Sequence, residues 1–274
     1  MTTDINAPAD SLILKETIQA SIVQLTLNRP TYRNALTLPQ LTLIEQEIAK
    51  LSLDVATRAV LIRGAGDQAF SAGYDIDALS AGMTLGDDGL TDVDRKLDTV
   101  FRAIECAPFP VLAQIAGFCI GGGMEFAMAC DIRIADTTAV FKMPPANLGW
   151  VYSAAGFARF IQAMGAARTR HLFLTATKLD AATAERWGIV GEVLEPNQLI
   201  TRVRQLASDM ATFSPIAQAG TKQAVSGLSA LKLREDTEAW EAHLALRQRA
   251  LVSKDLSEAR AAFLARRKPV FSGS

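Results

Sequence analysis

Three consecutive glycines, Gly121, Gly122 and Gly123, stand directly before an apolar helical pattern in FCIGGGMEFAMACDIRIA, and one carboxylate, Glu125, follows within the first turn. Glycines at a helix start remove every β-carbon where backbone N–H groups lack an intrahelical acceptor, so a ligand atom can come close to those donors. An oxyanion suits such a place. A dinucleotide does not, because the stretch has no G-x-G-x-x-G and no ribose-binding acid at the required distance. Tight packing of helix on strand would use the same glycines with no ligand at all. Glu125 also has two readings: a carboxylate that supports the helix start, or one that orients substrate or moves a proton. Its neighbours Met124, Phe126 and Met128 make a carboxylate costly there without a purpose.

A second stretch of small residues, FSAGYDIDAL from Phe70 to Leu79, follows the apolar run RAVLIRGAG. It is not a G-x-S-x-G nucleophile elbow, and the two histidines, His171 and His243, fall in helical stretches away from both motifs, which argues against a Ser/His/Asp hydrolase. Cys106, Cys119 and Cys130 lack metal-ligand spacing and read as buried thiols in a reducing compartment. Lys and Arg number 28 against 29 Asp and Glu, so no global field draws nucleic acid or an anionic membrane. No apolar run reaches the roughly 18 residues of a membrane span. The opening MTTDINAPAD resembles neither a secretory signal nor an Arg-rich transit peptide, and a soluble, cytoplasmic protein is expected.

These groups need elements to hold them. After a loose start, SIVQLTLNRP spaces Val23, Leu25 and Leu27 at period two and predicts a strand. TLPQLTLIEQEIAKL places Leu38, Leu41, Ile48 and Leu51 at helical spacing behind Thr37 as N-cap. RAVLIRGAG, VLAQIAG, DIRIA and IVGEVLE are short strands, the last after a helix closed by Gly188. The stretch from Ser80 to Val93 combines Gly, Asp and Met and predicts an exposed loop. Strands alternating with helices argue an α/β class. Beyond Glu195 the pattern is helical, with Pro215 at a helix start and a long run from Leu231 to Val252. The expected organisation is a core over residues 1–195 and a helical region over 196–274.

Taken together and in order, LNRPTYRNAL, AFSAGYDI and AGFCIGGGMEFAMACDIRIA resemble the motifs of the crotonase superfamily, also called the enoyl-CoA hydratase/isomerase family. The likeness spans about Ser21 to Val193, with a weaker ending at FLARRKPVF. It implies a spiral of β-β-α repeats, a C-terminal helical region that builds homotrimers or dimers of trimers, and an acyl-CoA thioester substrate with no separate cofactor. It also implies that the thioester oxygen is held by the backbone N–H groups of Tyr74 and Gly122, with Glu125 at the first catalytic glutamate of the hydratases. Coenzyme A contacts fall by motif position on Arg33, Ala72, Ile76, Phe263 and Arg266, the last reaching a neighbouring subunit. A solvated basic helix end is the competing reading of ARRK.

One position departs from the hydratase pattern. Their second glutamate corresponds to Pro145 in FKMPPANLGWVYSAAGFARF, and proline moves no proton. The segment from Phe141 to Tyr152 instead resembles the methylmalonyl-CoA decarboxylase branch, in which a tyrosine at the position of Tyr152 stands in the acyl pocket. That branch often has histidine where Tyr74 stands, and an aromatic after Gly-Trp also serves as core. Three expectations follow: decarboxylation of a methylmalonyl-CoA-like thioester, hydration or isomerisation by a single-glutamate enzyme, or a silent CoA-binding oligomer.

Overall fold

The computed structural model describes residues 11–75, 91–234, 245, 248–249 and 251–270. Ile76, His243, most of the stretch Ser80–Val93 and most of the run from Leu231 to Val252 lie outside them.

Strand β1 (Ile13–Gln19) turns back onto β2 (Ile22–Leu27), pairing Ile13 with Leu27 and Lys15 with Leu25. The sequence reads this opening as loose, and in β1 only Ile13 is buried. Pairing with an ordered neighbour, rather than a strong apolar alternation, makes it a strand. Strands β3 (Ala59–Gly64), β5 (Val111–Ile115), β7 (Ile132–Asp136) and β10 (Glu192–Leu194) continue the sheet in parallel, in the order β1-β2-β3-β5-β7-β10. A second sheet holds β4 (Ala69–Ser71), β6 (Phe118–Ile120), β8 (Val140–Lys142) and β9 (Leu179–Asp180), in the order β4-β6-β8-β9.

Helices α1 (Leu38–Leu53), α2 (Asp92–Cys106), α3 (Gly122–Ala129), α4 (Ala154–Thr175), α5 (Ala181–Trp187), α6 (Pro196–Ala211), α7 (Pro215–Arg234) and α8 (Lys254–Leu264) complete the described elements. The repeat is visible in the chain order: β5, β6, α3 and then β7, β8, α4 each give one strand to each sheet before a helix. This is the crotonase-like α/β spiral.

Every residue of β2 is buried, the mark of a strand covered on both faces. Val23, Leu25 and Leu27 share one cluster with Leu41, Ile44 and Ile48 of α1, while Ile22 joins Leu61, Leu112 and Ile134 on the other face. That second face is closed by Leu199, Val203 and Ala207 of α6. The helix that opens the C-terminal helical pattern is therefore a layer of the main core, because the parallel sheet leaves an apolar face that must be covered.

Local signals account for the ends of elements. Thr37 Oγ1 accepts the Gln40 N–H at 3.4 Å and starts α1. Gly188 closes α5 at φ 80°. Thr91 and Asp94 form a reciprocal capping box that starts α2. Two cysteines meet expectation: Cys119 and Cys130 are buried, and burial pushes both thiols up, Cys130 to about 12. Cys106 does not. It is exposed at the last position of α2. Among the described residues, no helix is long and apolar enough to cross a membrane.

Candidate active site

The two backbone N–H groups singled out by the family resemblance, those of Tyr74 and Gly122, lie in adjoining turns. After β4, the Ala72 N–H donates to the Arg33 carbonyl at 2.9 Å, the Leu36 N–H donates to the Gly73 carbonyl at 2.7 Å, and the Asp75 N–H donates to the Leu36 carbonyl at 2.9 Å. These bonds pin the chain on both sides of Tyr74 while its own N–H stands outside the ladder. Arg29 strengthens the hold, with Nη2 on Asp75 Oδ2 at 2.9 Å and Nη1 on the Ala35 carbonyl at 2.7 Å. Gly122 is the first residue of α3, where the N–H has no intrahelical acceptor. Gly73 lies at φ 97°, and a β-carbon on it would sit 2.9 Å from the Ile120 carbonyl oxygen and 3.4 Å from the Gly122 nitrogen. Only glycine lets the turns abut so closely.

Gly122 is required for a second reason. The Tyr74 ring lies directly on it, and a β-carbon there would stand 2.1 Å from Cζ. The ring ends at Glu125: the Tyr74 hydroxyl donates to Oε2 at 3.3 Å, and the Tyr152 hydroxyl donates to the same oxygen at 2.5 Å. Arg159 Nη1 donates to the other oxygen, Oε1, at 3.2 Å. Glu125 is 4% exposed and sits in a helix that is buried along its whole length. Burial pushes its carboxyl above the ordinary value, opposed by Arg159 and by the two hydroxyls. Burial and the Glu125 charge push both phenols well up, so each remains a donor.

Tyr152 is core and site at once. It is 8% exposed and packs edge-on against Phe157, Phe160 and Phe173, with centroids 6.1, 6.4 and 5.4 Å away. Ser153 caps the following helix by accepting the Gly156 N–H at 3.0 Å, which turns the chain just after Tyr152 and keeps its ring inside. Pro145 is buried in a short 3-10 turn, and its carbonyl accepts the Trp150 N–H at 3.0 Å. Where the family resemblance leads one to look for a second acid, the chain has a turn residue with no ionisable group.

Among the residues read from sequence, Tyr74, Gly122, Glu125 and Tyr152 are gathered in one place. Arg33 and Ala72 are joined by their backbone bond, and the exposed Arg33 lies over the Phe118 ring at 5.2 Å. Phe263, 52% exposed, and Arg266, also exposed, lie at and just beyond the end of α8. His171 is exposed and packs on Trp187. Sequence reading missed Arg159, which follows Tyr152 by two helical turns. It also missed Glu105, which holds Arg159 at 2.6 Å. The available signal was a lone cation in the otherwise apolar AAGFARF. Among the described residues, no group of His, Cys, Asp and Glu is placed to hold a metal ion.

The site sets the turn carrying Tyr74 against the helix start at Gly122, beside a carboxylate whose two oxygens both have partners. The chain is similar along its length to several known proteins. A probable enoyl-CoA hydratase of Rhizobium meliloti (strain 1021) is 35% identical over 259 residues, covering 94% of this chain and 97% of that protein. A solved structure of methylmalonyl-CoA decarboxylase superposes with a TM-score of 0.88 at 28% identity, covering 96% and 99% of the two chains. An enoyl-CoA hydratase from Mycobacterium avium subsp. paratuberculosis K-10 does so with a TM-score of 0.79 at 27% identity over the same shares. The family described as enoyl-CoA hydratase/isomerase matches residues 17–274, and the chain belongs to that family.

Proposed function

We propose that the protein decarboxylates a short, branched malonyl-type CoA thioester such as methylmalonyl-CoA. The observation that carries this reading is the state of the acids. Glu125 has both oxygens engaged, Oε2 by two tyrosine hydroxyls and Oε1 by Arg159, and Pro145 replaces the second acid that hydration would use. Hydration needs one group to activate water and one to protonate carbon. Decarboxylation needs neither in its bond-breaking step. The bond from the α-carbon to the carboxylate breaks, CO₂ leaves, and the electron pair becomes a thioester enolate whose oxygen the Tyr74 and Gly122 N–H groups hold. Preorganised donors of this kind supply about 3–4 kcal/mol each. A solvent-derived proton then replaces the carboxylate on the α-carbon.

The charges around Glu125 favour the same direction. The nearby cation, Arg159, is bonded to Glu105 and Glu125, so the substrate carboxylate meets an anion and aromatic walls there, and losing CO₂ moves its charge to the N–H pair. Arg33, Ala72, Ile76, Phe263 and Arg266 belong to this reading as coenzyme A contacts. So does a homotrimer or dimer of trimers, supported by the exposed apolar Phe213, Ile216 and Val225 of the C-terminal helical region. Light scattering that returns the mass of a single chain would contradict the oligomer.

A second reading, a single-glutamate enoyl-CoA hydratase, is favoured by the R. meliloti relative's name. Parallel incubation with methylmalonyl-CoA and crotonyl-CoA, read by mass spectrometry, separates the readings. Propionyl-CoA carrying one α-deuterium in D₂O is expected from the first substrate. A hydrated product from the second, with no CO₂ from the first, would establish the alternative. Binding of both without turnover would leave a silent CoA-binding oligomer.

A further inference from the structure

Glu125 cannot be held by its own helix, because a buried carboxylate needs a charge partner to stay ionised. That partner is fixed from a distance. Arg159 lies on α4, 9% exposed, and each edge of its guanidinium is occupied. Nε donates to Glu105 Oε1 at 2.6 Å and Nη2 to Glu105 Oε2 at 3.3 Å, with Asp98 Oδ1 3.7 Å from Nη2. Phe101 lies under the guanidinium at 5.0 Å. Asp98, Phe101 and Glu105 recur at helical spacing and so present one face of α2. From outside, Arg102 Nε holds Asp98 Oδ2 at 2.7 Å. Only Nη1 remains to reach inward, and it meets Glu125 Oε1 at 3.2 Å.

We propose that Arg159 is the positioning residue of this site: clamped on α2 by Glu105 and Asp98, it holds Glu125 ionised and turns Oε2 toward the Tyr152 and Tyr74 hydroxyls. The geometry is a relay of orientation across three helices. A planar fork with two of its nitrogens fixed on one carboxylate can aim the third in one direction, which a flexible ammonium cannot do as well. The outer end of the relay, with Asp98, Arg102 and Glu105, lines a groove of about 1620 Å³, while its inner end is the buried Glu125. The charged and titratable groups acting on Glu125 are Arg159 from α4, Tyr152 just before it, Tyr74 from the turn after β4, and Asp94 from α2. Among them Arg159 is the cation, so its loss leaves burial and Asp94 acting against ionisation.

The inference rests on the reading of Glu125 as part of the reaction site, and its test separates the two. Infrared difference spectra between each protein and its Glu125→Gln counterpart isolate the Glu125 band without any substrate. A carboxylate band is expected in the wild type at neutral pH and a protonated carboxyl band in Arg159→Gln. Because Arg159→Gln leaves Glu105 unpaired, the double variant Arg159→Gln/Glu105→Gln is measured alongside, with the same expectation. In turnover, Arg159→Gln should lower kcat about tenfold with KM within about twofold, and move the acid limb of the pH profile upward. The loss should not add to that of Glu125→Gln, since both act through one carboxylate. Arg159→Lys should recover part of it.

An ionised Glu125 in both arginine-free variants would overturn the proposal, as would losses that multiply with Glu125→Gln. If the wild type hydrates crotonyl-CoA and releases no CO₂, decarboxylation fails while the same cycle on hydration still decides the role of Arg159. If neither thioester reacts, the infrared result decides it alone.

Discussion

Glu125 and Glu258 are both held by an arginine, yet their surroundings shift the two carboxyls in opposite directions. Glu258, on α8, accepts Arg267 Nη1 at 2.5 Å, Arg267 Nη2 at 2.8 Å and the Val270 N–H at 2.8 Å. Its fork-to-fork bond with Arg267 pulls the carboxyl down to about 2. Glu125 has a cation and two hydroxyls, but it is enclosed by α3 and its neighbours, and burial outweighs them. The bonds are alike in kind; the solvent is not. At Glu258 water already stabilises the charge and the arginine adds to it, which makes a brace for the end of the chain. At Glu125 the protein must replace water, and the strain of doing so is kept where chemistry is proposed.

The largest effect expected from breaking this contrast lies beside Glu125 rather than on it. Gly122→Val would drive a branched side chain into the Tyr74 ring and cover the N–H donor, so turnover should fall at least ~10²–10³-fold. Steady-state kinetics on protein with an unchanged circular dichroism spectrum checks this, and retained turnover would remove Gly122 from the oxyanion site.

Exchanging each glutamate for glutamine sharpens the contrast itself. Glu125→Gln should lower CO₂ release about tenfold through lost orientation of Tyr152. Glu258→Gln should leave kcat where it was.

The stability of the same two variants should depend on pH with opposite signs. Glu125 has a folded value raised above 4.5, so between 4.5 and that value the folded state binds more protons than the unfolded, and its contribution declines as pH rises. The Tm of Glu125→Gln relative to wild type should therefore climb as pH increases above 4.5. Glu258 has a lowered value, so its contribution is present above 4.5 and disappears as pH falls through about 2. Glu258→Gln should be slightly less stable than wild type at neutral pH, with the difference closing as pH falls through about 2. Thermal denaturation across pH measures both, and parallel curves for the two variants would refute the contrast.

What could be read from sequence follows the range of the interaction. Local signals were sufficient for α1 with its Thr37 cap, for α5 with Gly188, and for the alternation in β2, because each is decided within a few residues. Gly122 and Glu125 were legible as a pair because a helix start and its first turn are also local. Arg159 was not, since its partners Glu105 and Glu125 lie 54 and 34 residues away. The reach of the Tyr74 hydroxyl is hidden for a similar reason: nothing near FSAGYD announces that its ring crosses Gly122 to reach Glu125. The burial of α6 on the sheet depends on a face assembled from four separate strands, which no window of the helix reveals.

Glu125 either orients the reacting groups or carries a proton. The most direct measurement is kcat for wild type, Glu125→Gln and Tyr152→Phe on both methylmalonyl-CoA and crotonyl-CoA. If Glu125 orients, CO₂ release from methylmalonyl-CoA survives Glu125→Gln within about tenfold and is also lowered by Tyr152→Phe, with no hydration of crotonyl-CoA. Hydration of crotonyl-CoA that falls ~10²–10⁴-fold in Glu125→Gln and persists in Tyr152→Phe, with no CO₂ from methylmalonyl-CoA, would contradict it and make Glu125 the acid-base group of a hydratase.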